Sequence, residues 1–156
     1  MEELKIGVVG YSAQKFNEGE AQRMISEAYD TINSQSNGKQ KTIVSGLTDL
    51  GIPAVAYREA VKRGWKTIGV ACSKAEEYDC FPVNERQIIG NEWGDESETF
   101  LNQLEILVRV SPLANLSQIS CANSSVYLVG LPSFAISYLL FCAIISSTYT
   151  DCQVPK

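Results

Sequence analysis

The 156-residue sequence contains no histidine. That removes the commonest general base and the commonest metal ligand, so acid–base work falls to Glu, Asp, Lys, Tyr or Cys, and no metal site is expected. Its five cysteines, at 72, 80, 121, 142 and 152, are an odd number without a C-x-x-C pair. The start, Met-Glu-Glu-Leu-Lys, has no basic stretch backed by an apolar run, so it does not read as a signal peptide. Reduced thiols and a cytoplasmic location are expected, with Cys72 a small apolar packer. There is no lysine- or arginine-rich run and the net charge is −5, which disfavours nucleic acid as a partner. Neither G-x-G-x-x-G nor the Gly-Lys-Ser/Thr of a P-loop occurs. From 110 to 150 there is no charged residue, whereas 29 of the 31 charges lie in 1–109.

What is present alternates. Apolar β-formers at 4–9, 41–45, 66–72 and Ile106–Val110 read as strands, with a shorter one at 86–90. Between them, 18–34 and 52–63 carry apolar residues at helical spacing. Asn17 with Glu20 makes a capping-box-like start, and Gly64 stands where a helix end wants a left-handed residue. Asn37-Gly38 breaks the chain, 73–83 reads as a polar loop, and Asp95 reads as the cap of a short helix reaching Leu104. The glycine inside 66–72 implies close backbone approach. Strand and helix in alternation imply an α/β Rossmann-like parallel sheet flanked by helices. A nucleotide-binding core over 1–110 is expected, followed by an uncharged hydrophobic tail over 111–156 within the same domain.

Two strands end in glycine turns. Thr42-Ile43-Val44-Ser45-Gly46-Leu47-Thr48-Asp49-Leu50-Gly51-Ile52-Pro53 runs from strand into helix, with Pro53 placed like a first-turn residue. Ile6-Gly7-Val8-Val9-Gly10-Tyr11-Ser12 is a shorter version. Such turns bring bare amides to an anion at a helix start. Gly10, Ser12, Gly46, Thr48 and Gly51 are therefore candidate phosphate contacts, and Leu47 is a candidate ligand contact in the same turn. Asp49 or Glu92 is a candidate ribose contact, and Tyr11 or Trp93 would stack on a base. The plainer alternative for Thr48 or Asp49 is a helix cap. In Asn91-Glu92-Trp93-Gly94-Asp95-Glu96 an indole stands among carboxylates, and Glu92 is the weak candidate for acid–base catalysis; the alternative is a capped turn with Trp93 as a plug. The run Glu76-Glu77-Tyr78-Asp79 reads as solvated loop, and Lys62-Arg63 as a response to the helix dipole.

The series Val44-Ser45-Gly46-Leu47-Thr48-Asp49-Leu50-Gly51-Ile52, followed by Ala60-Val61-Lys62-Arg63-Gly64-Trp65-Lys66-Thr67-Ile68-Gly69-Val70, resembles the Rossmann-like superfamily of LOG and lysine-decarboxylase-like proteins. That superfamily also includes molybdenum-cofactor carriers. The resemblance covers about residues 4–110. It implies a nucleotide cleft at the strand ends, with Gly10 and Ser12 matching one loop and Gly46, Thr48 and Gly51 another. The phosphoribohydrolases of this group carry Pro-Gly-Gly-x-Gly-Thr-x-x-Glu after the strand matching Ile106–Val110. Here Ser111-Pro112-Leu113-Ala114-Asn115-Leu116 follows, without the glycine pair, the catalytic Glu or the matching Arg. The expected function is binding of a nucleotide or other phosphate-bearing small molecule, with no cofactor required beyond a bound nucleotide. One alternative is a nucleoside 5′-monophosphate phosphoribohydrolase. Another is a non-catalytic interaction protein that oligomerises with itself through its tail. Three readings of that tail stand open: a covered C-terminal element, a membrane segment at 131–150, or a continuation read out of frame after about Arg109.

Overall fold

The computed structural model describes residues 2–10, 16–36 and 38–110, and 127–130 as backbone. Expectations that fall on Tyr11, Ser12, 111–126 and 131–156 lie outside these described residues. The chain runs β1 (Glu3–Gly10), α1 (Glu18–Gln35), β2 (Gln40–Ser45), α2 (Gly51–Lys62), β3 (Lys66–Ala71), β4 (Glu85–Ile88), α3 (Ser97–Asn102), β5 (Ile106–Val110) and β6 (Tyr127–Gly130). The sheet order is β4-β3-β2-β1-β5-β6. Five strands are parallel, and β6 joins β5 antiparallel. This is the expected Rossmann-like α/β architecture.

Side-chain alternation along the strands makes two cores. Leu4, Ile6, Val8, Ile43, Val108 and Val110 face α1 and α2, which bury Ile25, Tyr29, Ile32, Ile52, Val55 and Tyr57 against them. The opposite face packs Val44, Ile68, Val70 and Leu107 under Phe100 and Leu104. Both long helices therefore share one face, and the six-residue α3 lies on the other.

Local chemistry explains the element ends. Asn17 Oδ1 accepts from Glu20 N at 3.0 Å and starts α1, whereas the Glu20 carboxylate turns to Arg23 instead of closing the capping box. Gly64 closes α2 at φ 70°.

Two local expectations are corrected and a third is extended. The segment 73–83 is more ordered than its polarity implies: Ser73–Glu77 forms a 3₁₀ turn, and Ala75 and Phe81 are buried. Asp95 does not cap α3; the cap position is Glu96, while the Asp95 carboxylate accepts from the amides of Asn91 and Glu92, at 3.0 Å each. Arg63, at the C-cap of α2, packs into the fold as well as suiting the helix end. It stands 5.7 Å from the ring centroids of both Tyr29 and Trp65, with Nη1 on Asp30 at 2.6 Å and Nη2 on Ser26 Oγ at 2.8 Å.

Candidate functional site

The parallel strands all end at one edge of the sheet. From β1 the chain steps through α1 to β2, through α2 to β3, and on to β4; it then returns by way of α3 to β5 on the other flank of β1. The direction of winding therefore reverses at β1, and in open α/β sheets ligands bind in the crevice outside such a reversal. Gly10 ends β1 there, in register with Val110 of β5.

Gly10 is small for a reason visible in the packing. A Cβ at this position would stand 2.6 Å from Ile52 Cγ1 and 2.7 Å from the Val110 carbonyl oxygen. The first turn of α2 thus rests on the bare end of β1. β1 and β2 pair as neighbours in the sheet, so Gly10 and Ser45 end adjacent strands. Ser45, at the end of β2, ties the two strands further by donating its hydroxyl to Val8 O at 2.6 Å.

The turn 46–50 is held by backbone. Leu47 lies over Gly69 of β3, where a Cβ would meet its Cδ1 at 2.6 Å; this is the close approach expected of that glycine. Phe81 N donates to Leu47 O at 2.9 Å and Asp49 N to Asp79 O at 2.8 Å, so Thr48 and Cys80 form an antiparallel bridge. The Asp49 amide is consequently already satisfied.

The capping alternative for Thr48 and Asp49 does not hold. Leu50 takes the cap position of α2 with no side-chain cap bond. Among the described residues no side chain caps the first turn of α2, and amides there call for water or another partner. Gly51 follows at φ 59°, a conformation that favours glycine. The Asp49 carboxylate meets Arg58 Nη2 at 3.1 Å, and Arg58 Nη1 reaches Glu18 at the start of α1 at 2.9 Å. One guanidinium thereby spans the two connections, a contact that no local sequence signal announces.

Trp93 and Glu92 stand apart from the β1 end. They follow β4, which lies three strand spacings from β1, roughly 14 Å. Trp93 is 45 % exposed, with the rest of its surface covered, and it faces the Tyr78 ring with centroids 6.2 Å apart. Glu92 is exposed and paired with Lys74. Its hydrogen bond leads the causes that raise the Lys74 ammonium above its ordinary value. Cys72 is buried, as expected, and burial leads in pushing its thiol up, which opposes thiolate chemistry.

Beside α2, Glu18, Gln22, Val55, Arg58, Glu59, Val61, Lys62 and Phe81 line a shallow groove of about 290 Å³. In it the buried Glu59 carboxylate accepts from Gln22 Nε2 at 2.8 Å and Lys62 Nζ at 2.6 Å. Burial works to raise the Glu59 acid, but the Lys62 and Gln22 hydrogen bonds and the charges of Lys62 and Arg63 outweigh it, and the net direction is down. Among the described residues no cluster of acids and cysteines is arranged to hold a metal, and no helix is long and apolar enough to cross a membrane.

Fold and strand-end geometry together define a Rossmann-like α/β protein. Its structure is similar to that of the molybdenum cofactor carrier protein of Chlamydomonas reinhardtii, with a TM-score of 0.54 and 21 % identity over 73 % of this chain. The match spans 65 % of the carrier's length, less than two thirds of it. At that identity the likeness is one of fold. No family model and no curated protein matches the sequence.

Proposed function

We propose that this protein binds a small phosphate-bearing molecule, of the nucleotide class, in the crevice at the end of β1. The observation that carries the reading is the reversal of the sheet's winding at β1, where the strand ends beside the first turn of α2. Phosphate would be met by the backbone of Gly10, Gly46, Thr48 and Gly51, with hydroxyls from Ser12 and Thr48, and the dipole of the twelve-residue α2 favours the anion. Tyr11 is the aromatic nearest in sequence to that crevice. Asp49 would reach a ribose hydroxyl only by loosening its pair with Arg58.

The fold shared with a molybdenum cofactor carrier is compatible with binding without turnover. Cleavage of an N-glycosidic bond is not part of this reading. Glu92, the one carboxylate singled out for it, is engaged by Lys74 beyond β3.

Calorimetry with AMP, ADP-ribose, NAD and a pterin phosphate tests the proposal. Binding of at least one, weakened by Thr48→Ala, is the expected result. Absence of heat with all four, from protein with a cooperative melting transition, overturns it.

A further inference from the structure

Two acidic runs distant in sequence meet beyond β3. Ser73 N donates to Gly90 O at 3.1 Å, Ser73 Oγ meets Asn91 Oδ1 at 3.2 Å, and Lys74 pairs with Glu92. This knitting sets the Tyr78 and Trp93 rings against each other with their planes inclined at 57°. Both stay in water, at 39 % and 45 % exposed, while Tyr29, Tyr57, Phe81 and Phe100 are buried. Exposed around the pair in sequence are Glu76, Glu77, Asp79, Glu92 and Asp95, against the single cation Lys74.

Ring faces carry negative charge density, and a carboxylate rim adds to it. The surface therefore repels anions and attracts cations, which sets it apart from the phosphate crevice. Among cations, arginine is the best match: its flat guanidinium stacks on aromatic faces and pairs with carboxylates two-pronged. The same chain displays this solution internally. Arg63 stacks on the tilted Tyr29–Trp65 pair, whose centroids are 5.0 Å apart, and bonds Asp30. Tyr78–Trp93 repeats that combination of tyrosine, tryptophan and carboxylate on the outside.

We infer that the Tyr78–Trp93 ledge is a docking surface for an arginine-bearing basic segment of another protein. An arginine seats on the two rings, and neighbouring basic residues of the segment meet the acidic rim. The surface is separate from the small-molecule crevice and stands whether or not that crevice is filled.

The full ¹⁵N-labelled chain, titrated at low salt with a glycine–arginine repeat peptide, tests this, with glycine–lysine and glycine–glutamate repeats as controls. The Trp93 indole N–H signal is expected to move while that of Trp65 stays. The arginine peptide should bind more tightly than the lysine peptide, and the glutamate peptide not at all. Trp93→Ala should weaken binding about tenfold. The exposed pair Glu76→Gln with Glu77→Gln, which leaves both rings in place, should weaken binding and flatten its salt dependence.

A still Trp93 signal, an equal response to the glutamate peptide, or unaltered affinity in both variants overturns the proposal. So does concentration-dependent self-association in sedimentation that Trp93→Ala abolishes, because it would assign the ledge to a second copy of this chain.

Discussion

Gly10 shows how much can rest on one missing methyl group. Its hydrogen lets Ile52 and the Val110 carbonyl close over the end of β1. Gly10→Ala must push helix or strand aside, and the expected loss is about 1–3 kcal/mol, read as a lower urea midpoint with unchanged slope. Glu59 is the second residue with a clear consequence. Its acid is held below the ordinary value of 4.5. A depressed acid contributes stability that is present above its unfolded value and is lost as pH falls through the folded one. Glu59→Gln should therefore be less stable than the parent at neutral pH, by about 1 kcal/mol given the exposed Lys62 partner. The gap should narrow as the pH drops below 4.5, which paired denaturation curves at pH 7 and pH 3.5, about one unit below that value, would show.

At the scale of elements, α1 and α2 are joined by Arg63 at one end and Arg58 at the other. The two arginines differ in their surroundings. Arg58 is half exposed between Glu18 and Asp49, so Arg58→Ala should cost no more than about 1 kcal/mol. Arg63 is enclosed by two rings and three oxygen acceptors, and Arg63→Lys should cost about 2 kcal/mol because an ammonium cannot reproduce the flat stack. Thermal melts of both variants, run side by side, check the contrast.

The same comparison shows what could be read in advance. The five parallel strands, the two long helices, the Asn17 cap and Gly64 were legible, because each is settled by neighbours within a few positions; the antiparallel β6 was not. The order of 73–83 was not: it comes from Leu47 and Asp49, some thirty residues away, pairing with Phe81 and Asp79. Asp95 suits a helix start in sequence, but its carboxylate is taken by the amides of Asn91 and Glu92, a pairing that only the folded turn supplies, and the cap position falls to Glu96. Around the end of β1, the glycine-ended run 42–53 was legible as a pattern, while the packing of Gly10 against Ile52, the Arg58 bridge and the Tyr78–Trp93 pair needed the sheet order.

Across the whole molecule, connectivity has a temporal side. β1 pairs with β2 across 37 residues, as Ile6 with Ile43, whereas β5 pairs with β1 across 100, as Ile6 with Ile106. Closing that span costs loop entropy before any contact rewards it. Substitutions such as Ile43→Val are therefore expected to slow refolding, while Val108→Ala mainly hastens unfolding, a division that chevron plots of the two variants would reveal. On the ribosome, the first seventy residues emerge with a ready-made layer of three strands under two helices. Until β5 follows, one flank of β1 waits without a neighbour, and that interval is when a nascent chain of this design most needs a chaperone's attention.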